Sequence, residues 1–185
     1  VLNSLAAVVL GLEMGLSFNV ISTGISKYRG VRRRFDIKGI QNEIMVVDDY
    51  AHHPTEIVAT LAAAKSGWKR RIIAVFQPHL YTRTKEFFRE FAVALQNADF
   101  VLILEIYPAR EKSIPGVTAS LIYDELKELM NNKCQFVSEI DNLNKILDGI
   151  TKPNDMVITL GAGSIWRYSE SYMKHLNSNS LGKIN

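Results

Sequence analysis

The residues best suited to chemistry lie in one short run, VVDDYAHHPTE from Val46 to Glu56, which sets Asp48, Asp49, Tyr50, His52 and His53 almost side by side. Carboxylates, a phenol and imidazoles at this density can accept protons, coordinate a cation or hydrogen-bond a charged ligand. A second run, QPHLYTRT, carries Gln77, His79, Thr82 and Arg83; the stretches EIYPAREKSIPG after Leu104 and GAGSIW after Leu160 complete the set. Asp, Tyr, His and Arg together suit an anionic ligand, a phosphate or a carboxylate, which a guanidinium holds through two parallel hydrogen bonds.

Each run follows an apolar segment and precedes a helical pattern, so the elements that position it are strands and helices in alternation. We expect strands at Ile44 to Asp48, Arg71 to Phe76, Phe100 to Leu104, Gln135 to Val137 and Met156 to Leu160. Helices are expected at Pro54 to Ser66, Arg83 to Gln96, Thr118 to Met130, Ile140 to Leu147 and Ser164 to Lys174. Strands such as IIAVF and VLILE are apolar on both faces, as in a parallel α/β sheet covered by helices on both sides. The polar runs then all lie at the carboxyl edge of the sheet, where such folds bind ligands beside helix amino ends.

Upstream, Val1 to Tyr28 reads as two helices divided at Gly15, with Ser17 and Asn19 as capping residues. The chain opens without an initiator Met, already apolar and helical, and reads as a piece of a longer protein. Phe35 and Ile37 alternate into a hairpin expected to turn at Gln41-Asn42, and the segment after Leu176 reads as a frayed polar tail.

Composition narrows the class without choosing a function. The chain has 185 residues, 47% hydrophobic and 22% charged, with a net charge of +3, too small to argue for a nucleic-acid partner. No apolar run reaches the ~20 residues of a membrane span, and the single cysteine, Cys134, excludes an internal disulfide and points to a reducing, cytoplasmic setting. Plain structural readings compete at several sites. GAGS lacks the Lys and full glycine spacing of a phosphate loop and equally makes a tight turn. The Asp and His spacing matches no familiar zinc pattern, so no metal site is assigned. The basic run Arg32 to Arg34 divides between a solvated face and a phosphate contact, and Trp68 and Trp166 read as packing residues.

In order and spacing, VLNSLAA, GVRRRF, VDDYAHHPTE, FQPHLYTRT, YPARE and GAGSIWR resemble the carboxyl-terminal part of the Mur ligase family, from Asn3 to about Arg167. The resemblance implies a Rossmann-like, mostly parallel sheet over 29–177 that closes over a nucleotide, with 1–28 as the last helices of a central ATPase domain and 178–185 as a tail. It implies ATP-dependent amide formation through an acyl phosphate, with Mg2+ and the substrates UDP-N-acetylmuramate and L-alanine, and with upstream domains of the same chain as partners. Asn3, Arg34 and Asp49 match nucleotide-binding positions; Tyr50, His52, His79 and Arg83 match positions near the amino acid and the muramyl carboxylate. Many relatives carry Arg where this chain has Leu80. A ligase taking a tripeptide, or a noncatalytic nucleotide-binding module of the same fold, are the alternatives.

Overall fold

The computed structural model describes residues 2–28 and 30–181, and the side chains of 4–28 and 30–178 among them. It divides into two compact units, Val1–Val31 and Arg32–Asn185.

The first unit is a helical hairpin of α1 (Leu2–Glu13) and α2 (Phe18–Lys27). Gly15, at φ 76°, ends α1 in a left-handed cap. Its N–H donates to the Leu12 carbonyl while the Leu16 N–H donates to that of Gly11. Gly11 lets the helices approach, since a β-carbon there would meet the Ile21 side chain at 2.8 Å. Ser17 caps α2 by accepting from the Val20 N–H.

The second unit contains β1 (Asp36–Gln41), β2 (Ile44–Asp49), α3 (Pro54–Gly67), β3 (Arg71–Phe76), α4 (Tyr81–Leu95), β4 (Phe100–Leu104) and α5 (Ser120–Leu129). It continues with β5 (Cys134–Val137), a 3-10 turn at Ile140–Asn142, α6 (Leu143–Ile150), β6 (Asp155–Leu160) and α7 (Trp166–Leu181). The six strands run in the order β1-β2-β6-β3-β4-β5, all parallel except β1, which pairs antiparallel with β2. This is the mostly parallel α/β sheet that the apolar runs imply.

Alternate residues of each central strand feed two cores. Met45, Val47, Ile72, Ala74, Phe76, Val101 and Ile103 pack with Ile57 and Leu61 of α3, Phe91 and Leu95 of α4 and Ile122 and Leu126 of α5. Val46, Ile73, Val75 and Leu102 face the other way, onto Leu143 and Leu147 of α6 and Tyr172 and Leu176 of α7. Burying each large side chain contributes about 1.5–3 kcal/mol, so both faces must be covered.

Several boundaries differ from expectation. The hairpin turns at Asn42-Glu43, one residue later, with both at positive φ (50° and 63°), the twist-matched two-residue turn. Phe35, at φ 46°, stands outside β1 and stacks on Trp68, 5.0 Å between centroids. Helix α4 starts two residues early, at Tyr81, and kinks at Phe87. Helix α7 runs past Leu176 to Leu181, because Leu176 is buried against the sheet and the Ser178 hydroxyl bonds the Lys174 carbonyl within the helix. The expected tail is thus partly helix, and 182–185 lie outside the described residues.

Candidate functional site at the carboxyl edge of the sheet

Strand β6 sits between β2 and β3, so the turns after these three strands are neighbours. The loop after β4 joins them: the Leu80 N–H donates to the Tyr107 carbonyl and the Tyr107 N–H to that of Pro78. This continues the β3–β4 pairing past the strands and holds Leu80 at φ 75°, a conformation that costs a non-glycine residue about 1–3 kcal/mol.

The turn after β2 is built by its own acids. Asp49 accepts from the Phe35 N–H (2.7 Å) and the Ala51 N–H (2.8 Å), tying the strap before β1 to the start of the turn. Glu56, in the first turn of α3, reaches back to the N–H groups of His52 (2.9 Å) and His53 (3.2 Å). Burial pushes the Glu56 carboxyl up, but these N–H groups, the His52 ring and Arg34 outweigh it and leave it below the usual range. His53 packs edge-on against Phe87, 5.0 Å between centroids, while Pro54 begins the helix.

His52 Nδ1 lies 2.9 Å from the Tyr50 carbonyl oxygen and 3.3 Å from the Glu56 carboxylate. The His52 ring lies 5.1 Å from Tyr50 and 6.1 Å from His79, centroid to centroid. His79 in turn stacks on Tyr107 at 5.7 Å and 15°. Burial first, then the charges of Arg83 and His52, hold the His79 imidazole below its ordinary value against a weaker opposite pull from Glu111. Glu111 itself accepts from the N–H and hydroxyl of Thr82 and so caps α4; those bonds hold its carboxyl low.

Arg33 binds the loops together from beneath. Its guanidinium donates to the carbonyls of Gly161 (2.6 Å) and Gly163 (3.3 Å) and to buried Asp48 (3.3 Å). It also lies 4.7 Å from the centre of the Tyr50 ring, and its carbonyl accepts from the Tyr50 N–H. Burial pushes the Asp48 carboxyl up, while the Thr159 hydroxyl and Arg33 pull it down. The glycines of GAGS have a packing reason. A β-carbon on Gly161 would come within 2.7 Å of the Gln77 carbonyl oxygen, and one on Gly163 within 2.6 Å of the Tyr107 ring.

Four buried side-chain polar atoms among the described residues have no hydrogen-bond partner: Gln77 Oε1, His79 Nδ1, Arg83 Nη1 and Asn144 Oδ1. Two belong to the β3–α4 turn, at Gln77 and His79, and one to Arg83 in the first turn of α4. An unpartnered buried polar atom costs about 1–3 kcal/mol, so three on one stretch of chain single it out as the candidate site.

Of the residues singled out in the sequence, Tyr50, His52, His79 and Arg83 thus share one edge, and Asp49 ends β2 immediately before Tyr50. Arg34 is exposed, its guanidinium 5.8 Å from the centre of the Tyr50 ring. The Asn3 side chain lies outside the described residues. Among these, no group of three or more His, Cys, Asp or Glu comes together to hold a metal. Arg33 was not separable from its neighbours in the run RRR, since only its left-handed backbone (φ 62°) turns it inward. Gln77 and Tyr107 carried a signal only in being polar where a strand ends.

Residues 33–163 match the family described as Mur ligase, glutamate ligase domain. The chain belongs to the Mur ligase family. Within it, the chain is 47% identical over 176 residues to a UDP-N-acetylmuramate–L-alanine ligase of Geotalea uraniireducens, covering 95% of this chain and 38% of the relative. The solved UDP-N-acetylmuramate-alanine ligase of Thermotoga maritima superposes with a TM-score of 0.81 at 32% identity, covering 96% of this chain and 37% of that one. A murein peptide ligase of Psychrobacter arcticus gives 0.66 at 25% identity, covering 94% and 36%. This Mur ligase chain therefore spans less than two fifths of the length of these relatives. No helix among its described residues is long and apolar enough to cross a membrane.

Proposed function

We propose that this chain is the carboxyl-terminal portion of a cytoplasmic, ATP-dependent amide ligase that joins L-alanine to UDP-N-acetylmuramate in the supply of peptidoglycan precursors. One observation carries the reading: Gln77, His79 and Arg83 leave buried polar atoms unpartnered at the carboxyl edge of the sheet, beside Tyr50 and His52. The 47% identity to a ligase so named supports reading its named substrates as those of this site.

In the proposed reaction the muramyl carboxylate attacks the γ-phosphate of ATP, releasing ADP and forming an acyl phosphate. The amino group of L-alanine then displaces inorganic phosphate and loses its proton. The part of this chain is positioning and electrostatics. Arg83 presents a guanidinium N–H to a carboxylate, and His52 and Tyr50 line the approach. Asp49 and Arg34 are assigned to the nucleotide, and so, separately, is Asn3 of the helical unit; we read 1–28 as the end of the central ATPase domain and 29–177 as the ligase domain. Magnesium would offset phosphate charge. The acids of this site are committed to backbone N–H groups or to Arg33, so they do not form its ligand set, and the ligands would come from elsewhere in the intact protein.

The test is phosphate release by the intact protein with ATP, magnesium and UDP-N-acetylmuramate, with L-alanine, a tripeptide or no acceptor. Release dependent on L-alanine is expected, and none from this chain alone. Release that follows the tripeptide instead, or none with any acceptor, would overturn the reading.

A further inference from the structure

The unpartnered atoms differ in kind. Arg83 Nη1 can only donate, Gln77 Oε1 can only accept, and His79 Nδ1 can do either according to tautomer. A phosphate or a simple carboxylate is all acceptor and would leave the Gln77 oxygen without a partner. An α-amino acid carries both senses, a carboxylate that accepts and an amino group that donates.

Gln77 is also held as a binding group would be. It is the first residue beyond β3, only 6% exposed, and its N–H is fixed to the Leu160 carbonyl of β6. Two glycines clear the space around it. A β-carbon on Gly161 would meet its carbonyl oxygen at 2.7 Å, and one on Gly163 would meet Oε1 at 2.7 Å. The Tyr107 ring borders the same point above Gly163, and its other neighbour is His79, so Gln77, Tyr107 and His79 form one continuous wall. An apolar side chain of equal size would fill this place without the cost of burying an unpaired amide. Asn144, which holds the remaining unpartnered atom, is half-exposed on α6 and already donates to Ser171.

We propose that Gln77 determines acceptor specificity, its side-chain oxygen accepting a hydrogen bond from the amino group of the incoming amino acid while Arg83 takes the carboxylate. This rests on the ligase reading above and assigns the residue that distinguishes an amino acid from a simple carboxylic acid.

The experiment measures KM for L-alanine, ATP and UDP-N-acetylmuramate on the intact protein, unsubstituted and as Gln77→Met and Gln77→Asn. Gln77→Met keeps the volume and removes the acceptor; Gln77→Asn keeps the amide but withdraws it by one methylene. Each raises the KM for L-alanine about tenfold or more, as loss of a hydrogen bond to a charged group does, and leaves the other two within about twofold. Either variant that folds suffices. An L-alanine KM that does not move, or three KM values that rise together, overturns the proposal while L-alanine-dependent turnover keeps the ligase reading intact. No such turnover by the unsubstituted protein overturns that reading and the proposal with it.

Discussion

The two edges of the same sheet differ in how completely their polar residues are bonded. At the amino-terminal edge Arg71 grips Asp155 with two nitrogens, at 3.0 and 2.6 Å, and also donates to the Ile150 carbonyl. Asp155 further accepts from the Lys152 N–H, and Asp99 accepts from that of Ile72. At the carboxyl edge Arg83, His79 and Gln77 stop one partner short. The amino-terminal edge completes its polar bonds within the fold; the carboxyl edge, beside acids and an Arg33 that are likewise committed, leaves these three atoms open, and we propose that a ligand completes them. Residue type alone does not separate these uses; the completeness of the hydrogen bonding does.

The largest effect that can break this contrast is at the amino-terminal edge. Arg71→Ala leaves Asp155 buried without its cation and is expected to cost about 3 kcal/mol in chemical unfolding, near the low end for a buried pair because Arg71 itself reaches solvent. Gly163→Ala comes next. Its β-carbon forces Tyr107 and Gln77 apart, at about 1–3 kcal/mol of stability, and should lower ligase turnover in the intact protein more than its unfolding free energy suggests. Arg33→Ala, read by the same two assays, releases the carbonyls of Gly161 and Gly163 and strands Asp48, at about 2 kcal/mol.

The smallest effect concerns pH. His79 titrates lower in the folded chain than in the unfolded one, chiefly through burial, so the unfolded state takes up its proton first as pH falls. The stability tied to a neutral His79 is complete above the ordinary imidazole value of about 6.5 and is lost as pH drops through the lower folded value. In His79→Gln the fall in unfolding free energy between neutral and mildly acidic pH is expected to be shallower; an identical slope would remove His79 from the buried wall.

Much of this was legible in the sequence where one physical rule acts alone. Runs such as IIAVF and VLILE, apolar on both faces, have no stable place except between two helical layers, and they located the sheet and its carboxyl edge. Boundaries failed where a tertiary bond overrode local preference. Leu80 has no capping group, yet Tyr107 fixes its backbone and α4 begins beside it. Glu43 is a poor residue for positive φ, so the expected turn fell one position before the observed Asn42-Glu43. In the site, clustered Asp, His and Arg were visible by type. That Asp49 would serve the N–H groups of Phe35 and Ala51 while Gln77 would stand unpartnered is set by how the chain folds back on itself, not by residue type.

The most direct measurement of the central claim compares Arg83→Ala with the unsubstituted intact protein, reading unfolding free energy and the KM for L-alanine side by side. The account predicts a stability change below about 1 kcal/mol, since no partner is lost at Nη1, with the KM raised about tenfold or more. A large loss of stability with an unchanged KM would contradict it and place Arg83 with Arg71, among the residues that hold the fold.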